Sequence, residues 1–303
     1  MSASPNRVLL TGANGQVGRC VQDRAKMADR VNRYELVALG RSDLDITSLT
    51  QVEEVLSRFQ PRVVINAAAY TAVDRAEQEP ESAYMVNAEA SKNLALVCGK
   101  LGIPLVHIST DYVFDGSNST PYDEEMPTSP LGAYGRTKLA GEEAVREHLS
   151  QHLIFRTSWV FSEYGNNFVK TMLRLGQERD QLSIVSDQIG CPTYAGHIAE
   201  IILRFVDEIN EKEFSGWGTY HLCGDKAVSW FDFAQAVFTK AVEITLLADA
   251  PELTPISTAD YPTPAARPAF SVLDNKKLQD MLGSDTVRDW RAGLSTVLEK
   301  LAS

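Results

Sequence analysis

A glycine-rich turn near the start of the chain constrains the fold more than any other feature of the sequence. Gly12, Gly15 and Gly18 follow the apolar segment Arg7–Thr11 and precede a helix-length stretch that runs through Cys20–Lys26. Glycines at this spacing permit a tight turn and a close backbone approach, and the unpaired N–H groups of a helix N-terminus bind a pyrophosphate. The turn therefore predicts a βαβ unit that binds a dinucleotide, with a plain turn at a sheet edge as the alternative.

Strand-like and helix-like segments alternate through the first half of the chain. The strand candidates are short and mostly apolar; they are Arg7–Thr11, Glu35–Leu39, Val63–Asn66, Leu105–Ser109 and Leu153–Thr157. Strands joined by single helices form parallel sheets, and apolar strands of this kind are covered on both faces. The pattern predicts an α/β fold with a Rossmann-type, doubly wound parallel sheet. For the helix expected at Ser48–Phe59, Asp45 or Thr47 is the expected cap.

The second half of the chain follows a looser pattern. A proline-rich stretch runs from Pro251 to Pro268, and the chain of 303 residues is long enough for two units. We expect a nucleotide-binding Rossmann domain over residues 1–165, with returns to it near 190–207 and 217–224. A smaller C-terminal α/β substrate-binding lobe is expected over residues 166–303.

The charge of the chain argues against some classes of partner. Its 29 basic and 40 acidic residues give a net charge of −11 at pH 7, and no cluster of Lys and Arg is longer than two residues. Nucleic acids and anionic membrane surfaces require a basic face, so neither is an expected partner. No apolar run reaches the ~18 residues of a transmembrane helix, and the N-terminus has no signal-peptide pattern. A cytoplasmic protein is expected.

The cysteines and histidines indicate neither a disulfide framework nor a metal site. His148 and His152 are four residues apart, but no third ligand is apparent, and we expect both at the surface beside a helix end. No metal is predicted. The cysteines stand far apart without a CxxC pair, which predicts reduced thiols in the core; they are Cys20, Cys98, Cys191 and Cys223.

The residues after the second strand candidate bear on the choice of cofactor. NAD sites of this type usually place an acidic residue here, which binds the ribose 2′-hydroxyl. This chain has Gly40, Arg41 and Ser42 instead, whose guanidinium and hydroxyl donors suit a 2′-phosphate. NADPH is therefore the predicted cofactor, and the alternative is a solvated Arg beside a helix-capping Ser. Asp43 and Asp45 follow closely and leave NADH use open.

A Tyr-Lys pair and a strand-end hydroxyl indicate carbonyl chemistry. Tyr134 and Lys138 are spaced to lie on one helix face, where a cation lowers the pKa of a phenol and lets it exchange a proton. Thr110 and Asp111 follow a strand whose carboxyl end faces the ligand crevice, so a hydroxyl there can bond a reacting carbonyl oxygen. The alternatives are a chance surface pair and a simple turn cap.

Motifs along nearly the whole chain, from about Val8 to Leu301, resemble those of the dTDP-4-dehydrorhamnose reductases. This family is a nucleotide-sugar branch of the extended short-chain dehydrogenase/reductases. The matching blocks are TGANGQVG, NAAAYTAVDRAE, STDYVFDG, SPLGAYGRTKLAGE, FRTSWVF, GNNFVKTMLRL, DQIGCPT and YPTPAARPAFSVLD. The resemblance implies NAD(P)H-dependent reduction of the C4 ketone of dTDP-4-dehydro-L-rhamnose to dTDP-L-rhamnose, the last step of dTDP-L-rhamnose synthesis.

The resemblance also implies roles for individual residues. Tyr134 would give a proton to the C4 oxygen, Lys138 would hold the nicotinamide ribose, and Thr110 would bond the same C4 oxygen. Implied substrate contacts are Thr110, Asp111 and Trp159 at the sugar, and Asn167, Gln188 and Arg267 at the nucleotide or phosphates. Implied cofactor contacts are Gly12, Asn14, Gly15, Gln16, Val17, Gly18, Arg41, Ser42, Asp45, Ile46, Ala67, Ala68, Ala69, Tyr134 and Lys138.

Several alternatives remain at this stage. The small side chains of Ala67–Ala69 also fit ordinary tight packing of a helix on a strand. A related enzyme would reduce another dTDP-4-ketohexose to a C4 epimer or a streptose-type product. A protein of a different class would be a non-catalytic, cofactor-binding regulatory subunit similar to methionine adenosyltransferase beta. The resemblance further implies a homodimer, whereas the carboxylate cluster by which some members bind Mg²⁺ is not reproduced at Gly196–Glu200.

Overall fold

A computed structural model describes residues 6–27, 30, 33–211 and 213–303. The strands are β1 (Arg7–Thr11), β2 (Glu35–Leu39), β3 (Val63–Asn66), β4 (Leu105–Thr110), β5 (His152–Thr157), β6 (Val160–Phe161), β7 (Gln181–Val185), β8 (Ile189–Gly190), β9 (Thr193–Tyr194), β10 (Gly218–His221), β11 (Val228–Ser229) and β12 (Glu252–Ile256). The helices are α1 (Gln16–Ala25), α2 (Leu49–Phe59), α3 (Val73–Gln78), α4 (Pro80–Tyr84), α5 (Ala90–Leu101), α6 (Ala133–His148), α7 (Phe168–Glu178), α8 (Ala195–Glu211), α9 (Trp230–Glu243), α10 (Lys276–Leu282) and α11 (Trp290–Ala302).

Six parallel strands form the main sheet of the described part of the chain, in the order β2-β1-β3-β4-β5-β10. The order reverses at β1, because β2 pairs with one side of β1 and β3 pairs with the other. In open parallel sheets such a reversal creates a crevice at the carboxyl ends of the strands, where ligands bind. The predicted doubly wound parallel sheet is confirmed.

The main sheet is buried on both faces, because successive residues of a strand point to opposite sides. In β1, Val8 and Leu10 join a core formed with α1 and α8, whereas Leu9 joins a core formed with α2 and α5. All three side chains are fully buried. Burial on both sides explains why the strands are continuous apolar segments in the sequence.

A separate hydrophobic core lies in the second half of the chain. It is formed by α7, α9 and α11 with the parallel pair β7 and β12, and its aromatic members include Phe161, Phe233 and Trp290. Two elements of this half are associated with the main sheet instead: α8 packs against α1, and β10 pairs with β5. The division of the chain at residue 165 stays a prediction.

The cap of α2 differs from the sequence-based expectation. Ser48 is the cap, and its Oγ accepts a hydrogen bond from the N–H of Gln51. The carboxylate of Asp45 accepts instead from the N–H and the hydroxyl of Thr47. The two side chains that were expected to cap α2 are therefore hydrogen-bonded to each other in the turn that precedes the helix.

The expectation of two surface histidines is wrong for His152. This residue begins β5 directly after α6 ends, it is buried, and its Nδ1 contacts the carbonyl oxygen of Leu149. His148 remains partly exposed at the end of the helix. The four cysteines are buried free thiols, as predicted. No helix within the described ranges is both long and apolar enough to cross a membrane.

Candidate functional site

A cleft of about 290 Å³ opens at the carboxyl ends of β1, β2 and β3. Six of the predicted cofactor residues do not line it directly. Val17 and Gly18 are buried below the turn, Ser42 is exposed beside it, and Gln16, Tyr134 and Lys138 also lie outside the lining. The predicted residues that the cleft brings together are Gly12, Asn14, Gly15, Arg41, Asp45, Ile46, Ala67, Ala68 and Ala69.

The backbone of the first turn approaches the end of β3 closely at Gly12. Its φ is +69°, and a Cβ atom there would lie 2.4 Å from the backbone of both Ala67 and Ala68. Gly18 similarly leaves room for the carbonyl oxygen of Gly12, which would be 2.2 Å from a Cβ at Gly18. Without side chains at these positions the turn packs directly on the end of β3 and on the start of α1, a close approach that is typical of dinucleotide-binding turns.

The charged side chains that follow β2 differ in whether they are held by local hydrogen bonds or face the cleft. The carboxylate of Asp43 accepts from the N–H of Gly40 at 2.8 Å. That of Asp45 accepts from Thr47, and these hydrogen bonds lower the pKa of Asp45. Both carboxylates are thus engaged in local turns, whereas the exposed guanidinium of Arg41 borders the cleft.

Tyr134, Lys138 and Thr110 meet at the carboxyl end of β4. Tyr134 and Lys138 are buried on α6, which packs against β4, and the Nζ of Lys138 donates to the carbonyl oxygen of Ile108 at 2.6 Å. Thr110 is the last residue of β4. The ring of Tyr134 is perpendicular to that of Tyr112, with centroids 5.5 Å apart. The expected Tyr-Lys face on one helix is therefore present and lies inside the protein.

The proton affinities of this pair differ from the sequence-based expectation. Burial raises the pKa of Tyr134 to about 12, where Lys138 was expected to lower it. Burial also lowers the pKa of Lys138 to about 8, opposed by the negative charge of Glu142. Desolvation dominates both groups, so Tyr134 is a neutral phenol at pH 7 and holds a proton that it can donate.

Asp111 carries a buried acceptor without a partner. Thr110 donates its hydroxyl to Oδ1 of Asp111 at 2.9 Å and accepts from the N–H of Tyr112, so it also caps the turn that follows β4. The other oxygen of Asp111, Oδ2, has no hydrogen bond of good geometry among the described residues, although the hydroxyl of Ser271 lies near the carboxylate. Burial raises the pKa of Asp111 to about 6. A sugar hydroxyl would supply the donor that this oxygen lacks.

Trp159 stacks on a second tryptophan. Its indole is parallel to that of Trp230, with centroids 3.5 Å apart and planes inclined by 6°. Trp159 has a left-handed backbone, with φ +47°. The Nε1 of Trp230 donates to Oε1 of Gln188, whose amide in turn donates to Thr258. Gln188 therefore holds the partner ring of Trp159.

The remaining predicted contacts join distant parts of the chain. The amide of Asn167 caps α7 and donates to Oε1 of Gln16 at 3.0 Å, so these two residues are in direct contact. Arg267 donates to a carboxylate oxygen of Asp74 on α3 at 2.8 Å. The proline-rich segment is thereby tied to the first half of the chain. No group of three His, Cys, Asp or Glu residues suited to a metal occurs in the ranges described.

Comparison with known proteins assigns the chain to a family. The model of the RmlD substrate binding domain matches residues 6–303. A dTDP-4-dehydrorhamnose reductase of Aggregatibacter actinomycetemcomitans is 46% identical over 291 residues, which cover 96% of this chain and 98% of the relative. The chain belongs to the dTDP-4-dehydrorhamnose reductase family. A further member, from Escherichia coli K12, is 38% identical and is covered over 97% of both chains.

Solved structures of dTDP-4-dehydrorhamnose reductases share the fold. The enzyme of Clostridium acetobutylicum has a TM-score of 0.89 at 39% identity and is matched over 98% of this chain and 100% of its own. The enzyme of Bacillus anthracis, solved in complex with NADP, has a TM-score of 0.88 at 37% identity, with 98% and 99% covered.

Sequence reasoning about this reductase missed residues that support the predicted ones. Trp230 lies 71 positions after Trp159, and no spacing rule connects them. Glu77 accepts from the N–H of Ala133 and so binds the first turn of α6 from a distant helix. Glu142 was detectable, because it follows Lys138 by four residues, the same interval that separates Lys138 from Tyr134.

Replacing Trp230 tests how strongly the reductase depends on the stacked pair. For Trp230→Ala we expect the free energy of unfolding to fall by about 2–3 kcal/mol, because the half-buried ring loses its contacts and the stack. For Trp230→Phe, which keeps an aromatic ring but loses the bond to Gln188, we expect a fall of about 1 kcal/mol. Urea unfolding measures both. Equal losses would show that the stack contributes nothing.

Proposed function

We propose that this chain reduces the C4 ketone of dTDP-4-dehydro-L-rhamnose to dTDP-L-rhamnose, the last step of dTDP-L-rhamnose synthesis, with NADPH as the reductant. The observation that carries the proposal is the meeting of Tyr134, Lys138 and Thr110 at the strand ends beside the cleft. Family membership over the whole chain supports the same activity.

The cleft is the proposed site of the nicotinamide dinucleotide, because it is lined by Gly12, Asn14 and Gly15 of the glycine-rich turn and by Ala67–Ala69 after β3. Gly15 and Asn14 would hold the pyrophosphate at the start of α1, and Asp45 and Ile46 would border the adenine. When bound, the reduced nicotinamide supplies the hydride.

The chain's own residues supply the proton and orient the sugar. Tyr134 is neutral at pH 7 and would donate its phenolic proton to the C4 oxygen as negative charge develops there. Thr110 would turn its hydroxyl proton from Asp111 to the same oxygen, which stabilises that charge. Asp111 would accept from a sugar hydroxyl through Oδ2, and Trp159 would form an apolar wall. These contacts fix the ketone relative to Tyr134.

Lys138 would act on both the cofactor and Tyr134. Its ammonium uses one proton on the carbonyl oxygen of Ile108, which leaves two donors for the nicotinamide ribose. After proton transfer its positive charge would stabilise the phenolate of Tyr134. Because the pKa of Lys138 is lowered to about 8, this charge is lost as the pH rises above that value.

The activity is tested by following NADPH absorbance with enzymatically generated dTDP-4-dehydro-L-rhamnose and identifying the sugar product. We expect consumption of NADPH and formation of dTDP-L-rhamnose. Formation of a C4 epimer would contradict the proposed stereochemistry. Tight NADPH binding without turnover of any dTDP-4-ketohexose would contradict the proposed activity.

Arg41 would set a preference for NADPH over NADH. For Arg41→Ala we expect the KM for NADPH to rise about tenfold, because a charge-assisted hydrogen bond at an exposed site is lost, with little change for NADH. Arg58→Ala, which removes another exposed guanidinium, is the control and should change neither KM. An equal rise for both cofactors would contradict the assignment of Arg41 to the 2′-phosphate.

We also infer a homodimer in the cytoplasm. The proposed substrate and reductant are small charged metabolites, which suits a cytoplasmic enzyme. Sedimentation equilibrium should give twice the 33.4 kDa mass of the chain. The mass of a single chain would contradict the dimer and leave the proposed chemistry unchanged.

A further inference from the structure

A buried carboxylate lies one helical turn beyond Lys138. Tyr134, Lys138 and Glu142 follow one another at intervals of four residues on α6, and all three are buried. Residues at this interval share one face of a helix. Glu142 is 0% exposed and takes no direct part in the proposed chemistry.

Glu142 is anchored to β5 by Arg156. The Nη2 of Arg156 donates to Oε2 of Glu142 at 2.8 Å, and its Nε donates to Oε1 at 3.0 Å, which is the two-point geometry typical of strong Arg-carboxylate pairs. Arg146 adds a bond at 3.0 Å from the partly exposed side. Burial opposes ionisation of Glu142, but Arg156 outweighs it and the pKa of Glu142 is lowered.

Arg156 is itself held from the opposite side. His221 on β10 lies with Nε2 3.5 Å from Nη1 of Arg156, while its Nδ1 is 2.9 Å from the carbonyl oxygen of Tyr122. Since a carbonyl only accepts, Nδ1 must carry the proton and Nε2 is free to accept from Arg156. Burial lowers the pKa of His221 to about 3, so this ring stays neutral.

The ion pair between Glu142 and Arg156 lies beside the carboxyl end of β4, where Thr110 is placed. Arg156 is paired with Ser109 in the register of β4 and β5, next to Thr110. The carbonyl oxygen that accepts from Lys138 belongs to Ile108, on the same stretch of β4. The pair therefore joins α6, which carries Tyr134 and Lys138, to β5, and β5 is hydrogen-bonded to the strand that presents Thr110 and that carbonyl.

We propose that Glu142 is a positioning residue for the reduction: bound to Arg156, it fixes α6 on β4 and β5 and keeps the ammonium of Lys138 charged and in place. This inference rests on the proposed function, since it assigns Lys138 to the cofactor ribose and Tyr134. Arg156 serves as the anchor of Glu142.

Other titratable groups around Lys138 do not provide this negative charge. On the strand side, His107 is buried with its pKa well below the ordinary value and is neutral. Asp111 follows Thr110 at the same end of β4, and its charge acts on Tyr134, whose pKa it raises. On the helical side, Glu77 binds the start of α6, a turn before Lys138. Two effects oppose each other at Lys138: burial lowers its pKa, and the negative charge of Glu142 raises it.

A purely structural role makes a different prediction. Replacing a buried ion pair by apolar side chains of similar volume is often neutral for stability, whereas removing one partner is costly. A double variant, Glu142→Leu with Arg156→Met, therefore keeps the fold while it removes the carboxylate. If Glu142 only stabilises the protein, this variant retains the wild-type pH dependence. If Glu142 maintains the charge of Lys138, the alkaline limb moves.

The experiment compares the pH profiles of kcat for the wild type, Glu142→Gln and the double variant. We expect the alkaline limb to move down by about one pH unit in both variants, because burial of Lys138 is no longer opposed, and kcat at pH 7.5 to fall about threefold with little change in KM. Glu142→Asp keeps the charge on a shorter side chain, so its limb should stay in place while kcat falls. Glu143→Gln, an exposed neighbour on α6, is the matched control and should match the wild type.

The affinity for NADPH as a function of pH, measured by fluorescence, gives a readout that needs no sugar turnover. As the pH is raised, the affinity for NADPH should begin to fall at a lower pH in Glu142→Gln and in the double variant than in the wild type. A wild-type limb in the double variant would overturn the role of Glu142, even if Glu142→Gln does not fold. An inactive wild type would contradict the proposed function alone, because the NADPH profiles would still test Glu142.

Discussion

Tyr134→Phe should lose turnover by a factor of about 10²–10⁴ while it retains NADPH binding. Tyr134 is a neutral, buried phenol at the carboxyl end of β4, and its proton is the one proposed for transfer to the C4 oxygen. General acid catalysis typically contributes a factor of about 10²–10⁴. The ring itself and its contact with Tyr112 remain, so the cleft should keep its shape. Single-turnover NADPH oxidation and a separate cofactor titration measure the two effects.

The control for this substitution is Tyr220→Phe. It removes a buried tyrosine hydroxyl that donates to the carbonyl oxygen of Gly216, away from the cleft. Turnover of this variant should stay within about threefold of the wild type. Near-normal turnover of Tyr134→Phe would remove Tyr134 from the role of acid, and a loss of NADPH affinity equal to the loss of turnover would assign it to binding instead.

Gly12→Ala should destabilise the protein by about 2–6 kcal/mol and abolish measurable NADPH binding. The new methyl group would meet the backbone of Ala67 and Ala68 at 2.4 Å, which forces the turn away from β3. A left-handed backbone adds to this cost for any residue with a Cβ. Urea unfolding gives the stability, and cofactor fluorescence gives the affinity.

Gly102→Ala separates the two causes. Gly102 has nearly the same backbone angle, φ +66°, but no atom lies within 4 Å of a Cβ placed there. It ends α5 and is remote from the cleft, so its substitution should cost only about 1–2 kcal/mol of backbone strain and leave NADPH affinity unchanged. Equal effects of the two substitutions would show that the close approach at Gly12 has no functional importance.

Much of the fold follows from local sequence patterns. Apolar strands such as Val63–Asn66 leave little choice of neighbours, since a segment without a polar face must be covered on both sides. The glycine turn and the interval between Tyr134 and Lys138 are equally local, because they depend on one turn and one helix. These are the features that the sequence predicts correctly in kind and in position.

Features that depend on contacts between distant segments could not be predicted in this way. The stacking of Trp159 on Trp230 requires α9 to meet the segment after β5. The sign of the pKa shift of Tyr134 was wrong because proximity to a cation is visible in the sequence, whereas the extent of burial is not. The cap of α2 was expected at Asp45 or Thr47, but polar residues at positions 45, 47 and 48 can each serve and local geometry selects Ser48.

The path of the chain between the main sheet and the separate core of the second half limits how such proteins can be recombined. The sixth strand of the main sheet, β10, comes from a part of the chain that lies after α7, β7 to β9 and α8. A gene fragment that stops near residue 165 would encode a sheet whose β5 edge is bare, and an uncovered edge of this kind invites aggregation. Chimaeras between relatives should therefore be viable only when Gly218–His221 and α8 are inherited together with the N-terminal strands, as one discontinuous block.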